Sequence, residues 1–168
     1  MSLSMHAITV PIFVKTLGNL SAILDKAAAH AQARKIDPSV LLSARLFPDM
    51  FPLTRQVQLA SDFAKGASAR IAGLEPPKYD DNETTVADLQ ARIARTIEYM
   101  QAIDKAAFEG AETREISLKV RDTVQKHAGL SYLLHIALPN FFFHATTAYD
   151  ILRENGVELG KRDFIGSV

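Results

Sequence analysis

His144 is the side chain best placed to do chemistry in this sequence. It sits in LPNFFFHATTAYD, on a helical arc that otherwise carries Phe141, Ala145 and Ala148. A neutral imidazole in apolar surroundings can bind a metal, accept a proton or anchor a small molecule by a hydrogen bond. Asn140 lies one turn earlier, at the edge of the same arc. The remaining histidines fall at a chain terminus (His6), a helix end (His30), a polar loop (His127) and a lateral helix face (His135), where exposure is the expected state. The ordinary reading of His144 is a buried ring hydrogen-bonded to a carbonyl or to another helix. The functional reading makes it the centre of a pocket for a small-molecule ligand. Its polar lining would be Asn140, His144 and Gln56 from an earlier helix, with Tyr149 further along the same helix.

A catalytic transition-metal site usually needs about three protein ligands, most often imidazole or carboxylate. At helical spacing around His144 stand Asn140, Phe141, Thr147 and Ala148, and none is a good ligand. His144 is therefore the single candidate ligand, and a divalent metal would have to recruit residues such as Gln56 or Asp62. No resident cofactor is expected. HExxH, a glycine-rich phosphate loop, a GxSxG elbow and ExxH pairs of the di-iron carboxylate type are absent, which argues against hydrolase, kinase and dinucleotide chemistry. Cysteine is absent too, so there is no thiolate nucleophile and no disulfide framework. Nineteen basic and nineteen acidic residues leave no net charge, and no basic run restores a nucleic-acid role. The N-terminal segment lacks the basic start of a signal peptide, and no apolar run is long enough to span a membrane. The expectation is a cytoplasmic globular protein with neither nucleic acid nor membrane as partner.

The elements that must position His144 are helices. Val10, Phe13, Val14, Leu17, Leu20 and Leu24 fall at steps of three and four, predicting a first long helix to about Lys35. Asp37-Pro38 opens a short extra helix, and FPDMFP forces an irregular bend. A second long helix runs from about Pro52 to Ala72 with a stripe of Leu53, Val57, Ala60, Ala64, Ala67 and Ile71. Gln56 borders that stripe, while Arg55, Gln58, Asp62 and Lys65 point outward. After a polar loop, LEPPKYDDNE, a capping box at Thr85 and Asp88 starts a third helix that continues to about Phe108. Ile116, Leu118 and Val120 alternate with polar residues, as in a small hairpin turning near Val120–Val124. The fourth long helix runs from Ser131 to the Asn155-Gly156 stop, with Leu130, Leu134, Ala137, Phe141, Ala145, Ala148 and Leu152 as core and Pro139 as a kink. Phe142 and Phe143 lie off that stripe and suit a dimer surface. The chain is predicted to be one domain, an all-α four-helix bundle with a short extra helix and a small hairpin before the last helix.

Two long motifs, ARLFPDMFPLTRQVQLASDFAK and LPNFFFHATTAYDILRENGVELGKRDFIG, resemble a domain-of-unknown-function family within the DinB/YfiT-like superfamily. That resemblance implies a four-helix bundle, often dimeric, and hence a homodimer. Some better-known superfamily members are thiol-dependent transferases or isomerases that act through a metal held by three histidines. One comes from the second helix and an HxxxH pair comes from the last. Here the pair falls on His144 and Ala148, and the second helix offers Gln56 or Gln58. The resemblance therefore implies either a non-catalytic or ligand-binding member with an incomplete triad, or a metal-dependent transferase of unusual ligand set.

Overall fold

A computed structural model describes residues 4–167. Helix α1 (Val10–Arg34) is entered through a turn in which the Ser4 hydroxyl accepts from the Ala7 amide at 3.2 Å. Pro11 occupies its first turn, where a missing N–H breaks no helical bond. The short α2 (Pro38–Ser43) starts at Asp37, whose carboxylate accepts from the Ser39 amide at 2.9 Å. Helix α3 (Leu53–Ile71) follows the FPDMFP bend. Helix α4 (Val86–Gln101) opens on the expected capping box: the Thr85 hydroxyl accepts from the Asp88 amide, and the Asp88 carboxylate accepts from the Thr85 amide.

Helix α4 stops at Gln101 rather than continuing to Phe108. Asp104 begins a separate 3₁₀ turn, Lys105–Phe108, because its carboxylate takes the Ala106 amide at 3.0 Å. A short acceptor of this kind competes with the helical backbone for its own donors. Strands β1 (Glu115–Val120) and β2 (Thr123–Ala128) then pair antiparallel, Glu115 opposite Ala128 and Val120 opposite Thr123. Their two-residue turn puts Arg121 at φ 54°, in the left-handed region. His127 is thus on a strand, half-buried opposite Ile116, and not in a polar loop.

The last helix is a composite of α5 (Gly129–Tyr132), a π turn (Leu133–Ala137) and α6 (Leu138–Glu154). Pro139 cannot donate to the helical ladder, and the disturbance is absorbed as this wider turn rather than as a break. The turn holds an extra residue, so the upstream residues rotate out of phase with a uniform helix. Leu130 and Leu134, expected in the core, are exposed, while Tyr132 and Leu133 are buried in their place. From Ala137 onward the expected stripe of Phe141, Ala145, Ala148 and Leu152 is buried. Gly129 begins the composite so close to Ala111 that a Cβ would overlap the Ala111 carbonyl oxygen.

Helices α1 and α3 each pack against α4 and α6, which closes a four-helix ring, and α3 against α6 is the most extensive helix pair. Alanines 60, 64 and 67 of α3 are fully buried and permit that close approach. Phe13 of α1 meets Phe141 of α6 edge-to-face, ring centroids 4.7 Å apart, near the centre of the core. Helix α7 (Lys161–Ile165) folds back onto α1 through Lys26–Asp163 at 2.7 Å and an Asn19 amide donating to the Phe164 carbonyl at 2.9 Å. Among the described residues, no helix is long and apolar enough to cross a membrane.

Candidate functional site

Helices α3 and α6 bring Gln56 and His144 together across their shared interface. Leu53, Val57 and Ala60 turn one face of α3 inward, which leaves Gln56 on the flank facing α6 and 1% exposed. His144 lies one turn after Phe141 on α6 and retains 9% exposure. Its Nδ1 is 2.7 Å from the Gln56 Oε1. The Gln56 Nε2 donates to the Phe51 carbonyl at 3.1 Å, within the bend that precedes α3. The imidazole stacks nearly parallel on Phe63, centroids 5.6 Å apart at 18°, and meets Phe143 edge-on at 5.3 Å. Burial, and secondarily the positive charge of Arg55, hold the His144 pKa below its ordinary value and favour the neutral ring. The Nε2 atom makes no hydrogen bond among the described residues and is not sealed from solvent.

The other two sequence candidates do not join this pair. The Asn140 amide donates to the Ile136 carbonyl at 2.7 Å and serves the backbone of the π turn. Tyr149 is half-buried against Phe164 of α7, centroids 5.8 Å apart, with its hydroxyl 3.4 Å from Arg153. Five residues separate it from His144, which on a helix turns it to another face.

The donor set can be compared with what a superfamily metal would need. Two ligands about 2.0–2.1 Å from a tetrahedral ion stand roughly 3.3 Å apart. Gln56 and His144 approach to 2.7 Å, hydrogen-bonding distance. Ala148 supplies no donor at all. No three His, Cys, Asp or Glu side chains converge as metal ligands among the described residues. These residues do not fit the group.

A second polar cluster was not visible in the sequence. Arg92 of α4 has a side chain only 1% exposed, yet it contacts three carboxylates: Asp62 at 2.7 Å, Asp81 at 3.1 Å and Glu83 at 2.9 Å. It also donates to the Asp80 carbonyl at 3.1 Å. The loop after α3 therefore folds back between α3 and α4. This loop buries Gln58 and Lys65, both expected to point outward. Gln58 donates to Glu83 at 2.8 Å, Lys65 pairs with Asp62 at 2.6 Å, and Arg55 pairs with Asp81. The Tyr79 ring receives Lys65, Arg92 and Arg95 over its face. Burial opposes ionisation of Glu83, but its hydrogen bonds from Arg92 and Gln58 outweigh that and lower its pKa. The only available signal was the position of Arg92, between Leu89 and Ile93 within the buried arc of α4.

A family model described as a domain of unknown function, DUF1993, matches residues 5–165. The solved structure of a DinB family member protein from Shewanella denitrificans matches with TM-score 0.93 and 45% sequence identity, over 98% of this chain and 93% of that one. No curated protein matches.

Proposed function

We propose, for a chain that belongs to the DUF1993 family and has a DinB-like helical bundle, that it is a ligand-binding member built around a hydrogen-bonded His144–Gln56 pair. The observation that carries this reading is the 2.7 Å contact between the two side chains. A direct bond at that distance ties the two side chains to each other and leaves no room for an ion between them. Phe63 and Phe143 pack their rings against the imidazole. A few polar groups set into an apolar wall are the ordinary composition of a small-molecule site.

Metal analysis tests the reading. The protein is purified from zinc- and nickel-supplemented cultures, and its metal content is compared with that of His144→Ala. Wild type and variant are expected to carry the same substoichiometric background. One transition metal per chain, lost in His144→Ala, would overturn the reading in favour of a metal-dependent transferase. The same proposal includes a homodimer, because Phe143 is 56% and Phe142 36% exposed. Light scattering should then report twice the 18.5 kDa chain mass, and Phe143→Ser should lower it.

A further inference from the structure

We infer that Gln56 is a positioning residue that fixes the tautomer of His144, and that the site therefore selects ligands presenting an N–H or O–H donor to Nε2. The inference rests on the ligand-binding reading above and adds to it the class of molecule recognised.

The Gln56 side chain has one end that donates and one that accepts. Its outer contact is the Phe51 carbonyl, which can only accept, so the –NH₂ end must face Phe51. The reverse orientation would set two carbonyl oxygens against each other at 3.1 Å. Oε1 consequently faces His144, and the imidazole nitrogen 2.7 Å away must be the one that carries hydrogen. In a neutral ring the proton on Nδ1 leaves Nε2 with a lone pair. Both side chains are buried, so an unmatched orientation would leave a polar atom without a partner. The tautomer with Nδ1 protonated is therefore the favoured one.

The partner of Nε2 must then come from outside the chain. Nε2 makes no hydrogen bond among the described residues and is not sealed from solvent. Phe63 is covered by the imidazole on its stacked face, and Phe143 meets the imidazole edge-on. A molecule that reaches Nε2 and offers it an N–H or O–H satisfies the site. The same molecule lacking the donor leaves Nε2 desolvated and unpaired. Discrimination by a buried polar atom is stronger than discrimination by apolar shape.

Nitrogen NMR of the full-length protein reads the tautomer directly, with metal analysis of the same sample. In wild type at a pH where the ring is neutral, His144 should show protonated Nδ1 and unprotonated Nε2. Gln56→Leu, which removes the acceptor, should lose that preference, and Gln56→Glu, which keeps an acceptor, should retain it. Wild type with the proton on Nε2, or an unchanged spectrum in Gln56→Leu, would overturn the assignment. The probes for recognition are phenol and anisole, of similar size and shape but differing in the O–H. Phenol should shift the His144 Nε2 resonance in wild type at least tenfold more effectively than anisole, and this ratio should collapse in Gln56→Leu. Equal effects of the two probes in wild type would refute the ligand class. Finding stoichiometric metal would instead remove the underlying reading, so the two failures are distinguishable.

Discussion

Replacing Arg92 by methionine should show how much of this fold depends on one buried cation. Methionine keeps most of the volume of the aliphatic stem and removes the guanidinium. Its partners are not left equally exposed. Asp62 keeps Lys65 at 2.6 Å, and Asp81 keeps Arg55. Both acids are about a third open to water, at 32% and 39%, and can rehydrate. Glu83 is the acid that cannot: its side chain is 6% exposed, and of its side-chain partners it would keep the Gln58 amide at 2.8 Å. Leaving one member of a buried pair uncompensated costs about 3–5 kcal/mol. For a chain of this size that is a fall of roughly 6–20 °C in Tm. Urea unfolding followed by circular dichroism gives the free energy, and hydrogen exchange over residues 75–84 reports whether the loop has come away. If the cost resides in Glu83, then Glu83→Gln added to Arg92→Met should recover more than half of the loss. Glu83→Gln alone should be the milder single change, because Arg92 retains Asp62 and Asp81. An Arg92→Met cost below about 1 kcal/mol, the range of exposed ion pairs, would refute the reasoning. So would a double variant whose loss is the sum of the two single ones.

Two further outcomes follow from the core and from the titrating groups. Phe141→Ala empties the fully buried ring position that faces Phe13 and should cost about 3–5 kcal/mol in urea unfolding. A cost within experimental error would mean that α6 does not pack as described. The pKa of His144 is lowered by burial and by Arg55, and that of His6 by burial and by Lys105. In both cases the unfolded chain binds protons more readily than the folded one, so stability should decline as pH falls through the ordinary histidine value of 6.5. The slope should be reduced in His144→Phe and further reduced when His6 is also replaced. Glu83, with its pKa depressed, contributes the same direction of loss at lower pH, as acid reaches its folded pKa. Stability that rises between pH 7 and pH 5 would contradict these assignments.

Much of the fold was legible because local rules specify it. Steps of three and four placed α1, α3, α4 and the second half of the last helix, and the capping box and Asp37-Pro38 marked two starts. The hairpin was legible only as an alternation, since its turn is Arg121-Asp122 and carries none of the usual turn pairs. The core of the last helix was legible up to a phase. Pro139 announced a disturbance, but the sequence did not say that a π turn would absorb it and rotate Leu130 and Leu134 to the surface.

For the site, sequence alone determined which chemistry was available: one imidazole on an apolar arc, no thiol, and no second histidine at Ala148. It placed Gln56 at the border of its stripe, close enough to be a candidate. Tertiary structure decided that Gln56 meets His144 and that Asn140 and Tyr149 do not, since helical phase fixes a face but not what packs against it. Tertiary structure also decided the fate of Gln58, Lys65 and Arg92. Their polarity predicts solvent, yet a loop carrying Asp81 and Glu83 supplies the hydrogen bonds that solvent would otherwise give. Burial of a charge depends on partners distant in sequence, and no local pattern encodes where those partners will be.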